Sequence, residues 1–375
     1  MGGVRYKSDT TNSFFGEYLY EQIVSKEHFL YRLRHEIPWG TIVAPIMTAY
    51  KGGAEYGRAP YHPQKLIRML LVAYLFGISE RRCEEMVNDT LSAKYFVGLG
   101  VDEKAPDHST LTYFRERITE KRGAGIWEKL FSKTIRIARK KGIAFGTLQL
   151  IDSTHTTANV NEEKDHKRQK KGGTPRDGEA SHTFKHEKKV MTKEGEILKV
   201  PERVYGYKSH TSMNQENRLI TSVKVTTAKR NDGKEFISLV KKDQRLGVIK
   251  SDNLIPELNS CYSADKGYDQ GDNHQYLESH KLGNAIILRK IRTQPKWRHM
   301  QSSSYYQQQI KKRKQIENKF GEEKLHHSFS RCRYLGLANY KIQSYLTAMA
   351  VNFKRILLLT DPNYSPPKLA LCPSI

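Results

Sequence analysis

The hydrophobic period of this chain changes once, near residue 143, and that change bounds what it can fold into. Before it, apolar residues recur at helical spacing. HPQKLIRMLLVAYLFG places Pro63 at a helix start, ISERRCEEMVNDT offers Ser79 as an N-cap, and DHSTLTYFRERI offers Asp107 or Ser109 as a cap with Leu111, Phe114 and Ile118 on one face. After it, GTLQLIDSTHTTANV, VYGYKSHTSMN and LITSVKVTTAK are rich in β-branched residues, and the last two flank the polar turn QENR as a hairpin. NSCYSAD and NAIILRK are further strand-like runs, with GDNHQYLESHKLG between them as a helix ending at Gly283. The pattern predicts an α/β (α+β) fold in which an all-helical part over 60–142 precedes a sheet-containing part over 143–360. Residues 1–59 read as an N-terminal arm or helical segment and 361–375 as a C-terminal tail. The stretch 161–198, dense in charge, Gly and His without an apolar period, reads as a flexible basic loop. LANYKIQSYLTAMAVNFKRILLLT reads as an apolar helix packed on the sheet.

The charge balance narrows the partner. Lys and Arg number 64 against 40 Asp and Glu, a net +24 with pI near 9.7. Such an excess attracts polyanions and makes binding salt-dependent, so nucleic acid is the natural partner, although the balance alone also suits ribosomal proteins and binders of acidic membranes. The 375 residues, 37% of them hydrophobic, suffice for two or three packed domains. The most apolar run, IRMLLVAYLFGI, falls short of the roughly 18 residues of a membrane span and contains Arg68, so it reads as a buried helix. With no signal-peptide pattern at the start, a cytoplasmic protein is expected. Cys83, Cys261, Cys332 and Cys372 are scattered without CxxC spacing, which speaks against a zinc site or a disulfide framework and fits a reducing compartment.

Three acidic residues stand out from this basic background: Asp152 ending LQLID, Asp265 ending CYSAD, and Glu317 in RKQIENKFGEEK. Phosphodiester cleavage commonly uses two cations about 3.5–4 Å apart, and carboxylates from distant parts of a chain can hold them against phosphates. Strand ends suit Asp152 and Asp265, because buried residues before them fix the backbone and polar residues after them open to solvent. Taken singly, each Asp also reads as a turn cap after a strand. Glu317 has Arg313 four residues before it and Lys324 seven after it, nearly on one helix face, where the cations flank a metal-binding carboxylate or simply form a solvated pair. Lys208 and His210 in YGYKSH are candidates to present charge to phosphate, with pairing to a site carboxylate as the alternative for Lys208. Arg331, Arg333 and Lys354 are candidate phosphate contacts, and Arg115 and Arg117 belong to helices able to lay a basic face on a duplex, with a solvated surface as the alternative for each.

In this order, LQLIDSTHT, YGYKSH, ADKGYD, the Arg313–Glu317–Lys324 spacing and RCRYLGLANYKIQSYLTAMAVNFKR resemble the DDE transposases of bacterial insertion sequences, in particular the group with a Y-x2-R-x3-E-x6-K signature. Ile310 stands where that group often carries Tyr. The resemblance spans roughly residues 60–360 and implies an RNase H-like catalytic core behind a helical DNA-binding domain. It further implies Asp152 on the first core strand, Asp265 after the fourth and Glu317 on a later helix, all three catalytic and holding Mg²⁺, with Mn²⁺ able to substitute. The implied activity is binding to terminal inverted repeats, cleavage by two-metal hydrolysis and strand transfer to target DNA by a homodimer assembled on DNA, in association with the nucleoid. A non-catalytic DNA-binding regulator derived from a transposase, and an RNase H-type nuclease that cuts without joining, are the alternatives.

Overall fold

The computed structural model describes residues 6, 14–50, 59–123, 125–191, 197–251, 259–291, 294–361 and 363; the Gly-rich stretch 51–58 and nearly all of the C-terminal tail lie outside them. The chain divides into two compact units. One holds Met1–Ile143, His326–Ser328 and Tyr345–Ile375, the other Ala144–Leu325 and Phe329–Ser344.

The first unit is helical: α1 (Phe14–Ile23), α2 (Phe29–Glu36), α3 (Trp39–Met47), α4 (Pro63–Leu75), α5 (Glu80–Asp89), α6 (Leu91–Val97), α7 (His108–Arg122) and α8 (Ile126–Lys140). Helix starts fall where capping chemistry predicts. Ser79 accepts the Arg82 amide at 3.2 Å, Asp107 accepts the Ser109 amide at 2.7 Å, and Pro63 occupies the first turn behind His62, where its missing N–H costs nothing. Helix α4 is buried on every side from Leu66 to Leu75 and is the inner helix of this unit. Among the described residues no helix is long and apolar enough to cross a membrane.

The second unit is built on β1 (Leu148–Thr157), β2 (Ser181–Met191), β3 (Ile197–Asn214), β4 (Ile220–Thr227), β5 (Cys261–Ala264) and β6 (Gly283–Ile286). The first half of β3 pairs with β2; its second half lies between β1 and β4. Apart from β2, the order is β4-β3-β1-β5-β6, antiparallel from β4 to β1 and parallel from β1 to β6. This is an RNase H-like mixed sheet. The parallel strands need crossovers, supplied by α10 (Phe236–Leu246) before β5 and α11 (Gly271–Ser279) before β6. Helices α12 (Pro295–Ser302), α13 (Ser304–Lys312) and α14 (Lys314–His326) follow. Gly206 marks the crowded point where β3 leaves β2 for β1: a β-carbon there would stand 2.1 Å from the Thr156 carbonyl oxygen.

Three expectations need correction. The stretch 161–198 is not a loop, since it holds α9 (Glu162–Lys170) as well as β2; residues 192–196 lie outside the described set. Helix α9 needs little apolar surface. Asn161 caps it, its acids come first and its bases last in accord with the helix dipole, and buried Asp165 accepts the Arg176 amide at 3.0 Å. Strand β2 takes its support from backbone bonds to β3, which require no hydrophobic period. Second, α11 ends at Ser279, and Gly283 instead opens β6, packed so closely on Cys261 that a β-carbon would stand 2.7 Å from the Cys261 Cβ. Third, only the start of α15 (Leu337–Thr360) packs on the sheet, where the Tyr340 ring stacks on Tyr207 with centroids 5.1 Å apart. From Tyr345 onward its residues belong to the helical unit: Tyr345 donates to Glu128 at 3.0 Å, and Phe353 packs on Trp39.

Candidate active site

Strand parity decides which side chains meet. On β1, Leu150 is buried with Met213, Cys261, Ile316 and Phe320, the face covered by α13 and α14, whereas Ile151 is buried with Phe236, Tyr262 and Leu277, the face covered by α10 and α11. Successive residues alternate, so Asp152 returns to the α14 face. Ile151 pairs with Ala264 in the parallel β1–β5 ladder, which brings Asp152 and Asp265 to neighbouring positions at the end of β5. Cys261 lies on the α14 face and Ala264 on the other; Asp265 keeps extended dihedrals, so it too falls on the α14 face.

Glu317 reaches this face because Ile316 and Phe320 anchor the first turns of α14 in the same cluster. The helix breaks at Arg313 into α13 and α14 instead of running through, yet Arg313 keeps right-handed helical dihedrals and stays one turn before Glu317. Its guanidinium donates from Nη1 to Asp152 Oδ2 at 3.1 Å and from Nη2 to Glu317 Oε1 at 3.0 Å. Side chains of Arg313 and Asp152 are each 19% exposed, whereas that of Glu317 is 52% exposed. Burial pushes the Asp152 carboxyl up to about 6; the Ser153 amide and Arg313 oppose the shift, and the charges of Asp265 and Asp232 add to it.

Asp232 is the group that sequence reading missed. It sits in AKRNDGKE, where Asn-Asp-Gly is an ordinary turn signal, and only the tertiary fold puts it near Asp152. The turn carrying it packs on the turn Lys266–Tyr268 that follows Asp265. Buried Asn273 bridges the two, its amide donating to the carbonyls of Gly233 and Tyr268 at 2.9 Å each. Buried Asp269 braces the same turn, contacting His274 at 2.7 Å and accepting the Arg289 amide at 2.8 Å. The Tyr268 hydroxyl is held well above the usual tyrosine range, first by burial and then by Asp232 and Asp152.

The remaining predicted residues divide. Lys208 and His210 have the opposite parity from Met213, so they lie on the α10 face and not beside the Asp152 carboxylate. Lys208 is buried and pairs with Asp232 at 2.8 Å; His210 is fully buried, 2.9 Å from Thr226, and desolvation lowers its pKa to about 3. A neutral, enclosed imidazole cannot serve as a phosphate contact. Arg115 is likewise buried, its Nε 3.0 Å from Glu80, so it braces α5 against α7 and offers no charge to a duplex. Arg117 is exposed over the Tyr50 ring, and Lys324 is half-exposed on α14. Arg331, exposed beside the end of β1, donates to the Val160 carbonyl at 3.2 Å; the Arg333 amide is bound by Gln343; Lys354, in the helical unit, lies 3.3 Å from His327.

The donor set fits a hard divalent cation. Asp152 and Asp265 share the sheet face over which α14 holds Glu317, and the proton affinity of Asp152 is raised chiefly by burial and further by neighbouring acids, a cost that a dication relieves. Among the described residues their ligand atoms do not all lie within 4.8 Å of one another, and Arg313 spans Asp152 and Glu317. The trio that does converge, Glu84, Asp107 and His108, lies in the helical unit and is already joined by the 2.7 Å Glu84–His108 contact.

Among solved structures, one described as the Mos1 mariner paired end complex with Mn aligns over 94% of this chain and 92% of its own at 10% identity, with a TM-score of 0.19, too low to carry an argument. Residues 18–117 match the family described as Transposase domain (DUF772). Residues 143–353, more than half of the chain and all of the acidic site, match the family described as Transposase DDE domain. By its RNase H-like sheet and by this match, the chain belongs to the DDE transposase family.

Proposed function

We propose that this chain is a metal-dependent transposase that binds the terminal inverted repeats of its own mobile element, cleaves DNA at their boundary and joins the freed 3′-OH to target DNA. The observation that supports this reading is that Asp152 and Asp265 share the sheet face packed under α14, with Arg313 bonded to both Asp152 and Glu317. Asp152, Asp265 and Glu317 hold the cations. Mg²⁺, with Mn²⁺ as a substitute, would lower the pKa of the attacking water and offset charge on the scissile phosphate. The protein's own contribution is positioning: the β1 ladder fixes Asp152, the end of β5 fixes Asp265, and Ile316 and Phe320 fix Glu317. Arg313 holds Asp152 and Glu317 in the absence of cations, and its planar fork suits a phosphate once cations take the carboxylates. Lys324 supplies a second cation on α14, and the net charge of +24 draws in DNA. Two element ends require two active sites, so the working form is a homodimer on DNA, at the nucleoid.

The test is cleavage of a labelled duplex carrying the element's flanking inverted repeat. The expected result is Mg²⁺-dependent cutting at the repeat boundary followed by strand-transfer products, both lost in Glu317→Gln while binding persists. Binding without cutting in either Mg²⁺ or Mn²⁺ moves the assignment to a non-catalytic regulator, and cutting without joining moves it to a nuclease.

A further inference from the structure

Lys208 and Asp232 are not needed to hold a cation, yet the fold builds a pair of opposite charges against the back of the acidic site. Lys208 is buried on β3, opposite His155 of β1, and its ammonium donates to Asp232 Oδ1 at 2.8 Å and to the Arg230 carbonyl at 3.1 Å. Asp232 Oδ2 lies 3.4 Å from where a β-carbon on Gly267 would stand, two residues beyond Asp265. Asn273 ties the Asp232 turn to the Asp265 turn, and Gln270 donates to Asn231 at 2.9 Å across the same seam. His210, 3.7 Å from Asp232, adds no charge, because burial keeps it neutral.

We propose that Asp232 is a fourth carboxylate of the cation site, acting through its field and its turn and not as a ligand, and that Lys208 is the positioning residue that holds it and limits the excess negative charge. This rests on the reading of Asp152, Asp265 and Glu317 as cation ligands. It removes Lys208 from the phosphate contacts and gives its charge a different task. Without Asp232 the Lys208 ammonium stands uncompensated behind the site and repels a dication. Without Lys208 the site holds one more net negative charge.

The experiment measures Mn²⁺ binding to the full chain, from the paramagnetic signal of free Mn²⁺, and DNA affinity in EDTA, for the wild type, Asp232→Asn, Lys208→Met and the double variant. Asp232→Asn is expected to weaken Mn²⁺ binding about tenfold, since a unit charge near a partly buried dication changes its binding by at least this much at an effective dielectric of about 20. Lys208→Met is expected to tighten Mn²⁺ binding and to leave DNA affinity within about twofold, the size of a lost solvated contact. The double variant, neutral at both positions, should return Mn²⁺ affinity to within about threefold of the wild type, because coupled partners are not additive. If one single variant fails to fold, the other still decides by its Mn²⁺ affinity against the wild type, weakened for Asp232→Asn or tightened for Lys208→Met if the proposal holds and unchanged if it fails. The proposal is overturned if Lys208→Met weakens DNA binding and Asp232→Asn does not restore it, which is the behaviour of a phosphate contact. It is also overturned if Mn²⁺ affinity is the same in all four proteins. A wild type that binds no Mn²⁺ at all overturns the cation reading as well, which separates the two failures.

Discussion

Replacing Asp152 with Asn should stabilise the metal-free protein at pH 8 and do so much less at pH 5. The folded-state pKa of Asp152 is raised from 3.8 to about 6, chiefly by burial. A raised pKa means that the folded protein binds this proton more tightly than the unfolded chain does. The resulting stability is fully present below 3.8, fades as pH rises through 6, and is gone at pH 8. Two pKa units correspond to about 3 kcal/mol, and about half of that has already been lost at pH 5. Asn does not titrate, so it escapes the whole cost, but its weaker bond to Arg313 gives back about 1 kcal/mol. The net gain at pH 8 is about 2 kcal/mol, a rise of roughly 4–8 °C in the melting temperature of the unit that carries the sheet. At pH 5 the gain shrinks to about 0.5 kcal/mol by the same arithmetic. Thermal melts in EDTA at the two pH values read this directly. Adding Mn²⁺ should reverse the ranking, since ligand binding stabilises only the protein that holds it. A variant that melts below the wild type by the same margin at both pH values would refute the reasoning and show that Asp152 serves as an ordinary hydrogen-bonded strand residue.

Three further outcomes follow from the packing. Arg115→Ala removes a buried guanidinium from half-buried Glu80, which keeps the Thr112 hydroxyl, and should cost about 1.5–3 kcal/mol, read by chemical denaturation, whereas Arg117→Ala leaves stability within about 0.5 kcal/mol and lowers DNA affinity if its helix meets the duplex. Gly206→Ala places a methyl group 2.1 Å from the Thr156 carbonyl oxygen and should leave the sheet unable to form, seen as loss of soluble folded protein; an undisturbed circular dichroism spectrum and melt would contradict it. Glu323 is buried and its pKa is pushed up to about 8, so its stability contribution is lost as pH rises from 4.5 through 8. Glu323→Gln should therefore raise the melting temperature more at pH 9 than at pH 5, and an equal effect at both would exclude a titrating Glu323.

What sequence could and could not show follows from the range of the forces involved. Helix starts at Ser79 and Asp107 were legible because a cap is a bond to an amide two or three residues away. The strand-end position of Asp265, directly after β5, was legible for a similar reason, whereas Asp152 lies in the middle of β1 and not at its end, because pairing with β3, which no local signal announces, carries the strand on to Thr157. Side-chain parity was not read, so Lys208 and His210 were grouped with the phosphate contacts although counting from Met213 assigns them to the other face. Asp232 had no local signal at all, since a turn looks the same whether or not an active site lies behind it. Charge density misled at 161–198, where α9 and β2 are held by dipole-matched charges and backbone pairing and not by a hydrophobic stripe. For α15, apolar residues that recur along its whole length gave no hint that its burial is divided between two units.

If Asp152 and Asp265 ligate the cation that the reaction needs, exchanging the ligand atom changes which ion supports cleavage. Asp152→Cys and Asp265→Cys each replace a hard oxygen with a softer sulfur, which Mg²⁺ rejects and Mn²⁺ tolerates. Cleavage of the repeat-bearing duplex is predicted to vanish for both variants in Mg²⁺ and to return in Mn²⁺, while Asp152→Asn and Asp265→Asn stay inactive in either ion. Unchanged Mg²⁺-dependent cutting by the Cys variants, or Cys and Asn variants that respond alike to Mn²⁺, would contradict the account.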